Sequence, residues 1–175
     1  MNIPFVDLRD QYKSIKKEID HAIKSVIDET SFIGGDFVKK FENDYAKING
    51  VKHCINCANG TDAIYITLKS LGIGPDDEVI TVANTWISTA ETISQTGAKP
   101  VFVDINPDYY TIDVSKIEKK ITEQTKAILP VHLFGQPAEM DQIMDICQRH
   151  NLLLVEDCAQ AHFAKWNGQK VGTFG

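Results

Sequence analysis

The chain has 175 residues, and 18 lysines and arginines against 24 aspartates and glutamates give a formal charge of -6. Apolar residues make up 43%, enough for one sizeable core, and the acidic balance argues against a general nucleic-acid binder, which would carry a basic face. The longest apolar run, Leu152-Leu153-Leu154-Val155, falls far short of the roughly 18 residues of a membrane span, and Met1-Asn2-Ile3-Pro4-Phe5 lacks the start of a secretion signal, so the expected setting is the cytoplasm.

The first segment reads as a helix near 11–28, because Tyr12, Ile15, Ile19, Ile23, Val26 and Ile27 recur at three- and four-residue steps. Ser31-Phe32-Ile33-Gly34-Gly35 breaks it, and Asp36 is a candidate cap for a second helix near 37–47 with Phe37, Phe41 and Tyr45 on its apolar face. Residues 1–50 are therefore expected to form a helical arm, serving either as a dimer interface or as a cover for the sheet. From there a regular alternation begins. Strands are expected near 53–58, 78–82, 100–103, 126–133 and 152–156, with helices near 61–71, 86–96, 114–121 and 138–149. Strands separated by helices of this length imply βαβ units, and so an α/β domain over 51–175 with a mostly parallel sheet and helices on both faces. Leu152–Val155 is apolar at successive positions, as a strand covered on both faces should be. Trp166-Asn167-Gly168-Gln169 reads as a hairpin turn.

The cysteines offer little chemistry. Cys54 and Cys57 form a C-x-x-C within a stretch read as strand, where positions three apart face opposite sides. Cys147 and Cys158 do not supply the second pair a zinc site requires, and buried thiols in a reducing compartment are expected.

Ligands of parallel α/β sheets bind beyond the carboxyl ends of the strands. The residues there are Asn59-Gly60-Thr61-Asp62, Asn84-Thr85-Trp86, Asp104, His132 and Asp157, with Gln160 and His162 close behind. Gly60 and Thr61 open a helix, where backbone N–H groups and the dipole attract an anion; taken alone they are equally a capped turn. Trp86 offers an indole face to a flat ring, or fills core. Asp157 ends an apolar strand and needs a donor partner, whether ligand, cap or ion pair. A ligand with a phosphate, a flat ring and a ring cation satisfies all three, and pyridoxal 5'-phosphate (PLP) is such a ligand. G-x-G-x-x-G and G-x-x-x-x-G-K-[ST] are both absent, which removes the main support for dinucleotide and P-loop readings.

Asn59-Gly60-Thr61-Asp62-Ala63, Asn84-Thr85-Trp86-Ile87-Ser88-Thr89-Ala90, Pro130-Val131-His132-Leu133-Phe134-Gly135-Gln136-Pro137 and Val155-Glu156-Asp157-Cys158-Ala159-Gln160-Ala161-His162 resemble the successive motifs of the DegT/DnrJ/StrS family. Ile3-Pro4-Phe5-Val6-Asp7-Leu8 and Lys170-Val171-Gly172-Thr173-Phe174-Gly175 match its opening and a later segment. These are PLP-dependent sugar aminotransferases with the aspartate-aminotransferase fold. The resemblance implies that Gly60 and Thr61 bind the cofactor phosphate, Trp86 stacks on the ring, Asp157 pairs with the pyridine nitrogen and Gln160 contacts the phenolic oxygen. His162 is implied near cofactor or substrate, and His132 in a structural role.

The resemblance further implies a homodimer, glutamate as amino donor and a nucleotide-linked keto-deoxysugar as acceptor, with a lean toward dTDP sugars. The family's Schiff-base lysine is expected past Gly175; Lys165 and Lys170, in the predicted hairpin, match no catalytic position. The chain is accordingly expected to be the N-terminal part of a longer enzyme, holding an incomplete large domain and inactive alone. Two alternatives stay open. One is a sugar dehydratase of the same family, with histidine at the lysine position; the other is a non-catalytic ligand-binding or regulatory fragment.

Overall fold

The computed structural model describes residues 4–175, so Ile3 of the opening motif lies outside the described residues. The chain divides into two compact units, Met1–Asn56 and Cys57–Gly175.

The first unit is helical. Helix α1 spans Leu8–Asp28, and Asp7 caps it by accepting from the Asp10 amide at 3.0 Å. Lys24 pairs with Asp28 one turn on at 2.8 Å. No residue of α1 is buried, and Tyr12, Ile15, Ile19, Ile23 and Ile27 keep substantial exposure along one stripe. Helix α2 spans Asp36–Asn49; its N-cap is Gly35, and Asp36 is its first residue rather than its cap. Its aromatic face is formed, with the Phe41 and Tyr45 rings 5.5 Å apart. Gly50 closes it at φ +75°.

Residues 53–58, expected as a strand, are irregular. Ile55 is 86% exposed, and the Asn56 amide donates to Glu42 Oε1 at 2.9 Å instead of to a neighbouring strand. An apolar run becomes a strand only where a ladder partner takes its backbone groups, and the described residues supply none here. The expectation of a buried C-x-x-C fails with it: Cys54 is half-buried and Cys57 exposed, and all four cysteines are free thiols.

The second unit contains the sheet. Helix α3 (Gly60–Ser70) precedes β1 (Glu78–Val82), α4 (Ser88–Thr96), β2 (Lys99–Val103), β3 (Thr125–Ile128), α5 (Met140–His150) and β4 (Leu153–Leu154). The four strands pair in parallel in the order β2-β1-β3-β4. Every residue of β1 is buried, so this central strand is covered on both faces. Helix α4 packs on β1 and β2, and α5 on β3 and β4. Ile80, Ile93, Ile117, Ile128, Leu129, Met140 and Ile143 fill the core with no exposed surface. Each such side chain contributes about 1.5–3 kcal/mol on removal from water.

Three further expectations change. The strand near 126–133 ends at Ile128, because Pro130 has no N–H for the ladder; pairing resumes as a single bridge between Val131 and Asp157. Leu152–Val155 forms only the two-residue β4, and Leu153 is half-exposed because β4 lies at the end of the strand order. Residues 114–121 form two short 3-10 turns, Val114–Lys116 and Glu118–Lys120, in place of an α-helix. Asp113 starts the first by accepting from both the amide and the hydroxyl of Ser115. The hairpin is present as β5 (Lys165–Trp166) and β6 (Gln169–Lys170), antiparallel, with Asn167 and Gly168 in its turn. No helix among the described residues is long and apolar enough to cross a membrane.

Gly97 closes α4 at φ +94°, and a Cβ there would sit 2.9 Å from the Pro75 ring. Gly97→Ala should therefore lower stability by about 2 kcal/mol through left-handed strain and this contact. Urea unfolding of the full-length protein measures it, with Gly168→Ala, which meets no neighbouring atom within 4 Å, reporting the strain alone.

Candidate functional site

The chain leaves β1 toward β2 on one side and reaches β3 on the other, so connections depart in opposite directions from the centre of the sheet. A crevice opens at such a switch point, beyond the carboxyl ends of the strands. The residues that meet there come from the start of α3, the loop after β1, the loop after β3 and the turn after β4.

Helix α3 brings the first group. Asn59 caps it, accepting from the Asp62 amide at 2.9 Å through its side chain and from Ala63 at 3.0 Å through its carbonyl. This leaves the amides of Gly60 and Thr61 as the donors of an eleven-residue helix's first turn. Gly60 has no atom within 4 Å of an added Cβ, so the backbone is open to close approach. The Thr61 hydroxyl lies 2.7 Å from that of Ser88, at the start of α4.

Thr89 follows Ser88 and reaches the other end of the site. Its hydroxyl donates to Asp157 Oδ2 at 3.1 Å, while the Ala159 amide donates to Oδ1 at 3.1 Å. Asp157 is 9% exposed and fixed at the backbone, its amide donating to the Pro130 carbonyl and its carbonyl accepting from His132. Each carboxylate oxygen thus keeps a lone pair for a further donor. Trp86 lies in the loop between β1 and α4 and is 73% exposed, which rules out the core alternative. Gln160 is exposed, and its Oε1 accepts from the Phe134 amide at 2.8 Å. Phe134 is held there at φ +56°, and Gly135 beside it at +85°. With Oε1 engaged, the end of Gln160 that remains is the donor Nε2. His162 is exposed next to the Phe163 ring. Asp104 is exposed and pairs with Lys116 at 3.6 Å. Lys165 and Lys170 face each other across the hairpin.

One residue with a large structural role was not singled out from the sequence. Glu156, next to Asp157, has its carboxylate almost fully enclosed. It accepts from the amides of Gly172 at 2.8 Å, Phe174 at 2.8 Å and Gly175 at 3.1 Å, and bonds His132 Nε2 at 3.2 Å. His132 is fully buried, and its Nδ1 accepts from the Ala138 amide at 3.0 Å. An accepting Nδ1 puts the ring proton on Nε2, which then donates to Glu156. Burial alone would raise the Glu156 pKa, but the His132 bond and the three amides outweigh it and hold the carboxyl below its ordinary value. Cys158 completes a compact His-Glu-Cys group whose possible ligand atoms lie within 4.8 Å of one another. Burial and the neighbouring carboxylates push its thiol up to about 12, and the other two side chains are already spent on hydrogen bonds. The cluster is a latch that ties Gly172–Gly175 to the sheet, not a metal centre. An acidic residue inside an apolar run is the signal that marks Glu156 in the sequence.

A parallel sheet flanked by helices, with an open helix start and a buried carboxylate beyond its strand ends, places the chain in the α/β class. Residues 13–175 match the DegT/DnrJ/EryC1/StrS aminotransferase family, and the chain belongs to that family. Its aminotransferases depend on PLP. The chain is 51% identical over 175 residues to a Geobacillus stearothermophilus protein named pleiotropic regulatory protein, covering 100% of this chain and 47% of that one. It is 47% identical over 173 residues to a UDP-N-acetyl-3-dehydro-alpha-D-glucosamine 3-aminotransferase of Acidithiobacillus ferrooxidans, covering 99% of this chain and 47% of the relative. Its structure matches that of S. venezuelae DesV in complex with a ketimine intermediate, with a TM-score of 0.93 and 41% identity, over 97% of this chain and 46% of DesV. The chain spans about half the length of the curated relatives it matches.

The latch makes a pH prediction. A carboxyl whose folded pKa is depressed adds stability above its unfolded pKa, about 4.3, and loses it as pH falls through the lower folded value. Glu156→Gln should cost about 2 kcal/mol at pH 7 and flatten the decline of stability below pH 4.5. Urea unfolding of the full-length protein between pH 3 and 7, roughly the carboxylate titration range and its upper plateau, measures both; parallel pH profiles for variant and wild type would refute the assignment.

Proposed function

We propose that this chain forms most of the PLP cradle of an aminotransferase that moves an amino group from glutamate to a keto carbon of a nucleotide-linked deoxysugar, with dTDP sugars favoured. The observation that carries this reading is the pair Ser88 and Thr89, which link a phosphate-type helix terminus to a buried carboxylate. The donor set suits the cofactor at each end. Free amides and a hydroxyl at Gly60 and Thr61 match a phosphate, and the Asp157 lone pairs match a protonated ring nitrogen. Gln160 Nε2 matches a phenolic oxygen, and the exposed Trp86 indole matches the ring face.

When bound, the cofactor supplies the electron-accepting ring and the carbonyl carbon that carries the amino group. The chain's own residues bind and orient it. Gly60 and Thr61 hold the phosphate against the dipole of α3. Trp86 covers one ring face, and Asp157 keeps the proton on the ring nitrogen, which preserves the ring's pull on electrons. His162 lies on the substrate side. In this reading residues 1–50 are a helical arm and 51–175 are part of the large domain. The full-length protein is a cytoplasmic homodimer, and the Schiff-base lysine falls past Gly175, so this stretch is inactive alone.

A second reading, a regulatory protein that keeps the cradle, is favoured by the name of the Geobacillus stearothermophilus relative. Turnover separates the two. The full-length protein should bind PLP and aminate a nucleotide-linked 3-keto-deoxysugar with glutamate. Asp157→Ala should reduce turnover about a hundredfold or more, the scale of losing a preorganised charge at a reacting centre. Unchanged turnover would show that Asp157 does not hold the ring, and PLP binding without any turnover favours the regulatory protein.

A further inference from the structure

The hydroxyls of Thr85 and Thr89 stand 3.1 Å apart, and Thr89 Oγ1 lies 3.1 Å from Asp157 Oδ2. A threonine has one hydroxyl proton. Thr89 spends its proton on the carboxylate, which can only accept, so in the first pair Thr85 must be the donor. The protons therefore run in one direction, from Thr85 through Thr89 to Asp157, and each bond polarises the next. Thr89 is fully buried and sits in the first turn of α4, where its amide donates to the Trp86 carbonyl at 3.2 Å. It cannot rotate away without losing packing. One residue thus holds the carboxylate meant for the ring nitrogen and the loop carrying the indole meant for the ring face.

We propose that Thr89 is a positioning residue: with Thr85 behind it, it fixes the Asp157 carboxylate so that its remaining lone pair meets the ring nitrogen of the bound cofactor, a role that rests on the PLP reading above. The Ala159 amide secures only Oδ1. Without the Thr89 hydroxyl, Oδ2 would have no donor among the described residues and the carboxylate plane would be free to turn about its last bond.

The test uses the full-length protein and PLP labelled with 15N in the ring. Thr89→Val keeps the shape and removes the donor; Thr89→Ser restores the donor. Thr89→Val should weaken PLP binding about tenfold, the scale of one hydrogen bond to a charged group. It should also move the ring 15N resonance toward the unprotonated position, and Thr89→Ser should return both to near wild type. A general packing defect would not be repaired by serine, which restores the hydroxyl but not the methyl. If Thr89→Val does not fold, Thr85→Val carries the test from the partly exposed loop, with a smaller movement in the same direction. Wild-type protein that fails to bind PLP would overturn the cofactor reading and this proposal together. Wild-type binding with an unmoved resonance and affinity in the variant would overturn the role of Thr89 alone.

Discussion

The first turn of α4 sets the geometry on which the site depends. Ser88 and Thr89 are consecutive, yet one bonds to Thr61 at the start of α3 and the other to Asp157 beyond β4. Two elements far apart in sequence are thereby spaced by a single helical step. The turn is itself fixed by buried packing, since Ser88, Thr89, Thr92, Ile93 and Thr96 all face inward. Thr92 and Thr96 return their hydroxyls to carbonyls of α4 itself, so the buried polar face carries no unpaired hydroxyl there. The Ser88 and Thr89 bonds to other elements act together with the buried Ile93 to fix where the helix sits.

Asp157 and Glu156 show how one short segment serves two ends. Neighbouring residues in extended backbone point to opposite sides. Glu156 turns toward His132 and the amides of Gly172–Gly175, where every acceptor site is filled from the protein. Asp157 turns toward α4, taking one donor from Thr89 there and one from the Ala159 amide two residues on, and lone pairs remain. Both carboxylates are largely withdrawn from water, but only one is fully compensated within the chain. A carboxylate that is buried and partly compensated is the pattern of a group waiting for a cationic donor, while its neighbour has the pattern of a structural brace.

Much of the second unit was legible because strands and helices there alternate with strong periodicity. Strand 78–82 is mostly apolar, the helix after Asn59 carries its own cap, and the helix after Glu139 carries a clear apolar face. What failed was strand extent. Residues 53–58 have the composition of a strand, but composition does not reveal whether a ladder partner exists. Pro130 ends β3 two residues after Ile128, a constraint visible in the sequence but outweighed there by the apolar run around it. The residues proposed to face the ligand lie in family motifs that the sequence displays. Their supports, Ser88, Thr89 and Glu156, were not singled out, because a hydroxyl or carboxylate that braces another side chain has no spacing rule. Its meaning exists only once the fold brings its partner within 3 Å or so.

The division between satisfied and unsatisfied groups finally argues for the order in which such a site is assembled. His132, Glu156 and the amides of 172–175 complete one another without any ligand, so that network forms with the sheet. The Thr85–Thr89–Asp157 chain is also complete as a chain, but it ends on an acceptor with capacity left, and the Gly60 and Thr61 amides end on a donor side with capacity left. The protein has paid for the burial of Asp157 in its own fold, through Thr89 and Ala159. In the proposed reading, a ring cation arriving there would meet a carboxylate already oriented and mostly desolvated, and only the ligand's own dehydration would remain to be offset. Preorganisation of this kind follows from bonds between protein groups, and it is why the residues behind the contact surface matter as much as those on it.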